Sequence, residues 1–153
     1  MNSYIGTKII AARPMTRQEY NDYRDWTLPA DENGADEGML VEYMDGGKSN
    51  HPNHLGYISW SPIDVFSRAY RKTDGMTFGL ALDALKLGFK LSRAGWNGKG
   101  LWLQLHTPTE SSLMTLPFIF MCYPDDAKTT PGARVPWLAS QTDMLAEDWT
   151  VVS

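Results

Sequence analysis

The stretch Met76–His106, MTFGLALDALKLGFKLSRAGWNGKGLWLQLH, reads as one helix–strand–turn–strand unit. Thr77 stands where an N-cap hydroxyl is wanted, and a helix is predicted over Phe78–Leu87. Phe78, Leu82 and Leu85 fall on one face of it, as do Ala81 and Leu85, and Gly88 supplies a C-terminal stop. Phe89–Arg93 and Leu101–His106 then read as strands, with Asn97-Gly98 between them as a turn signal. A helix leading straight into a hairpin, with no repeated strand–helix–strand rhythm, points to α+β.

Downstream, Pro117–Tyr123 reads as an apolar strand and Pro124–Pro131 as a loop. Ser140-Gln-Thr-Asp143 has capping-box spacing and opens a short helix before a last strand, Trp149–Val152. Upstream, Lys72–Gly75 (KTDG) forms a seam, which divides the chain into modules 1–75 and 76–153. Tyr4–Ala12 reads as a strand carrying Tyr4, Ile5, Ile9 and Ile10. Thr16 and Glu19 form a capping box for a helix over Arg17–Arg24. Asp31–Glu37 holds four carboxylates, no cation and turn residues, and reads as a loop. Met39–Met44, a turn at Asp45–Gly47 and Tyr57–Trp60 follow as strand, turn and strand. Ser61 is then expected as N-cap, with Pro62 at the first helical position and Asp64 completing a box. Val65 with Ala69, and Phe66 with Tyr70, would form that helix's buried face. The expected fold is α+β: small antiparallel sheets with short helices.

The whole chain has 153 residues, 14 Lys+Arg against 18 Asp+Glu, a net charge of −4 and six Trp. Residues 1–75 carry 8 basic and 11 acidic groups, residues 76–153 carry 6 and 7, so neither half is basic. Such a chain repels polyphosphate, which excludes a DNA or RNA polymer as partner. Its indoles, in contrast, offer flat faces on which planar ligands stack. A chain of this size buries roughly 68–70% of its unfolded surface, enough for a core without staples. The single cysteine, Cys122, lies in LPFIFMC and reads as a buried free thiol, which fits a reducing compartment. MNSYIGTKII lacks the pattern of a signal peptide, and no run reaches the length of a membrane span. A soluble intracellular protein is expected, with no membrane partner.

Catalytic and metal motifs are weak. His51-Pro-Asn-His54 places two imidazoles near each other, but Pro52 opposes a helix and no further ligand lies close by; a polar loop is the better reading. Cys122 sits where burial raises a thiol pKa, Ser140 lacks a nucleophile elbow, and no phosphate loop is present. No catalytic residue, metal or cofactor is assigned.

Two clusters carry more. Arg93-Ala-Gly-Trp96-Asn97-Gly98-Lys99-Gly100 packs a cation, an indole, a carboxamide and three glycines into one turn. It suits a ligand that needs an anion grip, a stacking face and close approach to backbone, and it equally suits a hairpin loop with a packed Trp. Pro136-Trp137-Leu-Ala-Ser140-Gln141-Thr142-Asp143 is the second cluster. There Ser140 and Asp143 read as cap residues, while Gln141 and Thr142 are free to meet a base edge or a ribose.

Together these motifs carry a resemblance. MTFGLALDALKLGFKLSRAGWNGKG, then LPFIFM, then VPWLASQTDMLAEDW resemble a small phage family that includes the second type of anti-Thoeris protein. The resemblance spans about half the chain and begins at Met76; it leaves residues 1–75 as a phage module of unassigned chemistry. It implies a sponge: a protein that binds, without turnover, the cyclic ADP-ribose isomer made by host TIR enzymes. Some members also capture the cyclic di- or trinucleotides of CBASS defence. It further implies a homotetramer with pockets between protomers, acting in the host bacterial cytoplasm. Carried over by position, the ligand-binding residues are Phe78, Arg93, Trp96, Asn97, Trp137, Ser140, Gln141, Thr142 and Asp143. Within that set Trp96 and Trp137 are assigned to stacking and Arg93 to phosphate. Asn97, Gln141 and Asp143 are assigned to base or ribose hydrogen bonds. Trp102 and Trp149 are expected in the core, and Trp26 and Trp60 stay with the unread module. A hydrolase of the same messenger and a virion interaction module without nucleotide are the rival readings.

Overall fold

The computed structural model describes residues 1–152, and the chain forms two compact units, Met1–Tyr70 and Arg71–Ser153. Each has its own antiparallel sheet and its own buried cluster, and the fold is α+β.

In the first unit β1 (Ile10–Pro14), β2 (Gly38–Tyr43) and β3 (Tyr57–Pro62) form a meander, with β2 in the centre. Helix α1 (Arg17–Tyr23) starts as its sequence dictates: Thr16 Oγ1 accepts from Glu19 N–H at 3.2 Å, and Glu19 Oε2 accepts from Thr16 N–H at 2.7 Å. Met15, Tyr20, Leu40 and Ile58 form the core, closed by the Trp60 indole N–H donating to the Met15 carbonyl at 2.8 Å. Trp60 thus has an internal role.

Three expectations fail here for tertiary reasons. The first strand begins only at Ile10, leaving Tyr4 90% and Ile5 103% exposed. Its register explains this: Ile10 pairs with Tyr43, the last residue of β2, so nothing beyond continues the ladder. Next, α2 (Ile63–Ala69) starts one position later than expected, with Pro62 as N-cap and no side-chain cap bond, because Ser61 and Pro62 are held in β3 against Met39 and Gly38. Finally, α2 buries no residue, and Val65 is exposed; Phe66 and Tyr70 instead pack on each other, tilted, with ring centres 5.0 Å apart. The acidic loop also finds a cation, as Glu32 pairs with Arg17 at 3.2 Å.

In the second unit the sheet order is β7-β6-β5-β4-β8, all antiparallel: β4 (Lys90–Arg93), β5 (Trp102–His106), β6 (Phe118–Cys122), β7 (Arg134–Pro136) and β8 (Trp149–Val152). Helix α3 (Phe78–Lys86) is capped by Thr77, whose Oγ1 accepts from Leu80 N–H. Its buried stripe is Ala81, Ala84 and Leu85, packed on Leu91, Leu103 and Trp149; Leu82 stays outside that cluster. Gly88 follows the helix at φ 93, where a side chain would be strained. The seam segment joins the sheet: Thr73 accepts from Val151 N–H, and Met76 and Trp149 exchange both backbone bonds. Strand β7 had no sequence signal, being three exposed residues paired with β6. Trp149 is fully buried, whereas Trp102 lies half-buried on the opposite sheet face beneath Lys90 at 5.4 Å, outside the core.

Candidate ligand-binding site

Beyond the end of β4 the chain enters the glycine-rich turn, and facing it is helix α4 (Gln141–Met144). Antiparallel pairing sets Arg93 opposite Trp149, so the residues just before β8 meet the residues just after β4. This register joins the two sequence clusters.

Asp143 is where they meet. Its Oδ2 accepts from Ser140 N–H at 3.0 Å while Ser140 Oγ accepts from Asp143 N–H at 3.1 Å, which is the expected capping box, and the Ser140 hydroxyl also donates to Oδ2 at 2.6 Å. Its Oδ1 accepts from Arg93 Nη1 at 2.8 Å and from the Trp96 indole N–H at 3.1 Å. Its own carbonyl accepts from the Trp149 indole N–H at 3.0 Å. Burial alone would raise this carboxyl, but donors from Ser140, Arg93 and Trp96 outweigh it and hold the pKa down at about 2. Asp148 completes the arrangement: Oδ1 accepts from Arg93 Nε at 2.8 Å and Oδ2 from Gly95 N–H at 2.7 Å. Arg93, paired with Asp148 and Asp143, is shifted upward, and Asp148, held chiefly by Arg93, is shifted downward. Only 12% of the Arg93 side chain is exposed.

Four aromatic rings pack beside this network. Trp149 is the hub, with Phe78 at 5.5 Å, Trp96 at 5.6 Å and Trp137 at 6.0 Å. Trp96 and Trp137 lie 6.3 Å apart, tilted, and each remains half-buried. Asn97, Lys99, Ser140, Gln141 and Thr142 are exposed around them. The residues of the two sequence clusters, with Phe78, thus differ in access: Asn97, Gln141 and Thr142 are exposed, Phe78, Trp96 and Trp137 are half-buried, and Asp143 and Arg93 are engaged internally. The sequence reading missed Asp148 as a partner of Arg93. Its proximity depends on the β4–β8 register, which local patterning does not encode.

A second constellation lies in the first unit. His54 Nδ1 meets Glu42 Oε2 at 2.8 Å and its Nε2 meets the Tyr23 hydroxyl at 3.0 Å, while His51 stacks on Tyr23 at 4.3 Å. The expected polar loop is thus a half-buried network. Glu42 is held low, first by the Gly56 amide and then by His54. Among the described residues no group of three or more His, Cys, Asp or Glu is placed to hold a metal ion. Cys122 is buried and its thiol is pushed up by burial against the opposing influence of Arg134 and Lys90. No helix among the described residues is long and apolar enough to cross a membrane.

A five-stranded antiparallel sheet backed by one helix, with a glycine-rich turn and a capped single-turn helix tied to one carboxylate, defines a small α+β domain. The chain belongs to the Thoeris anti-defense 2-like family, whose domain model matches residues 76–152. It is 38% identical over 86 residues to a protein of Bacillus phage SP01 named Thoeris anti-defense 2; that match covers 51% of this chain and 96% of the relative.

Proposed function

We propose that this protein counters Thoeris defence by binding and sequestering, without degrading it, a cyclic ADP-ribose-type signal made by TIR enzymes, and that related cyclic di- and trinucleotides are further ligands. The observation that carries this reading is the convergence on Asp143: one carboxylate ties the Trp96 turn to the Ser140 cap. That tie leaves Asn97, Gln141 and Thr142 exposed beside two half-buried indoles. Stacking platforms plus uncommitted hydrogen-bonding groups suit a nucleotide. Both nearby carboxylates are occupied by Arg93, which favours holding a ligand over general acid–base work on it.

Affinity argues for more than one chain per pocket. A sponge needs roughly nanomolar binding, about −12 kcal/mol. Stacking supplies about 1–3 kcal/mol per base and each hydrogen bond to a charged group about 1.5–3 kcal/mol, against a binding entropy cost of at least about 4 kcal/mol. Contributions from two protomers in a homotetramer close that gap.

The test is to incubate the protein with the cyclic signal, remove free ligand, denature, and analyse what is released. Intact signal is expected. A cleaved product would make the protein a hydrolase, and no nucleotide at all would make it an interaction module. Trp96→Ala and Trp137→Ala should each weaken capture; unaltered capture in both would move the pocket elsewhere.

A further inference from the structure

Nucleotide signals carry phosphates, and the network around Arg93 bears on which cation meets them. Arg93 is the obvious candidate by motif, yet its guanidinium is bound on one side by Asp148 at 2.8 Å and on another by Asp143 at 2.8 Å, with Trp149 beneath it at 5.9 Å. Two carboxylates more than cancel its single charge. A phosphate approaching it would meet net negative potential and would have to displace bonds that hold the turn and the cap together.

The remaining cations of residues 76–153 sort by place. Lys86 pairs with Asp83 along α3 at 3.7 Å. Lys90 covers Trp102, and Arg134 pairs in register with Cys122; both lie on the sheet face away from α3. Lys128 stands in the loop after β6. Lys99 alone rides on the turn that carries Trp96 and Asn97, and it is exposed. That turn is tightly built. A side chain on Gly98 would run into Leu101, and Gly100, at φ 73, sits where a Cβ would come within 3.2 Å of Pro124.

We infer that Arg93 does not touch the ligand: Asp148 and Asp143 hold it as a positioning residue for the Trp96 turn, and the cation that meets the ligand's phosphates is Lys99. This inference rests on the nucleotide-binding reading above. It gives the glycines of the motif a second task, presenting a lysine at a constrained apex. It also gives Asp148 the role of fixing that apex through Gly95.

Ionic strength separates the two cations, because an exposed charge that meets the ligand's phosphates contributes strongly to the salt dependence of binding, whereas one already neutralised in place by two carboxylates contributes little. Capture of a TIR-made cyclic ADP-ribose isomer by the full chain is measured at low and high salt, beside melting temperature. Lys99→Gln is expected to weaken capture about tenfold or more at low salt, to flatten the salt dependence, and to leave the melting temperature unchanged. Lys128→Gln should change none of these. Arg93→Gln should lower the melting temperature, while its folded fraction binds more weakly with the salt dependence of the unaltered protein. Asp148→Asn loosens the same clamp without deleting a cation and should repeat that pattern. A flattened salt dependence in Arg93→Gln, or a Lys99→Gln protein that binds as before, would overturn the inference and leave the nucleotide reading standing. An unaltered protein that captures nothing would overturn both.

Discussion

Asp143 shows how a single side chain couples local and tertiary structure. Its distance of three residues from Ser140 makes it a cap, and the same carboxylate then receives Arg93 and Trp96 from another part of the chain. Its carboxyl sits at about 2 in the fold against an ordinary 3.8. A depressed carboxylate stabilises above its unfolded pKa, so this contribution is complete above about pH 5 and disappears as pH falls through 2. It amounts to roughly 2 kcal/mol. Asp143→Asn should therefore lower the melting temperature at pH 7, and its loss of stability between pH 5 and 2 should be shallower than that of the unaltered protein. Identical acid profiles would refute the assignment. Trp149 acts through packing instead: it is 0% exposed, touches three other rings and spends its N–H on the Asp143 carbonyl. Trp149→Ala should cost about 3–5 kcal/mol in chemical denaturation. It should also impair capture indirectly, by removing the support under Trp96 and Trp137.

At the scale of elements, caps were readable for three of the four helices, Ser61 being the exception, and the buried face was largely readable for α3 but not for α2. Thr16 with Glu19, Thr77, and Ser140 with Asp143 all cap as their spacing predicts, because an N-cap is satisfied by groups within one turn of itself. Thr16→Ala should accordingly destabilise the first unit by about 1 kcal/mol, seen as a lower denaturation midpoint. The face of α2, by contrast, was misjudged from periodicity, since a four-residue repeat marks two side chains as neighbours without saying what covers them. Strand β7 escaped notice for a related reason: three exposed residues become a strand only because β6 offers a free edge. Tyr4 and Ile5 have strand-like composition but no partner strand beside them.

For the whole molecule, the two buried clusters belong to separate units, and the family match begins at residue 76. Residues 71–153, expressed alone, should fold cooperatively and show buried indole fluorescence, because the core cluster of Met76, Ala81, Ala84, Leu85, Leu91, Leu103 and Trp149 lies within them. A fragment that stays unfolded would show that the second unit does not fold on its own. If the fragment also captures nucleotide as well as the full chain does, the ligand chemistry resides wholly in that unit.

What the sequence determined alone was local: the helix starts at Thr16, Thr77 and Ser140, the stop at Gly88, the buried thiol, and the two clusters on which a ligand site could be built. These depend on backbone groups and side chains only a few residues apart. Tertiary structure decided how the clusters relate. The β4–β8 register sets Arg93 opposite Trp149 and beside Asp148, and that closes a network across some fifty residues of chain. A guanidinium that reads as a phosphate grip in one dimension becomes an internal clamp in three, because charge is allotted to whichever partner is nearest in space.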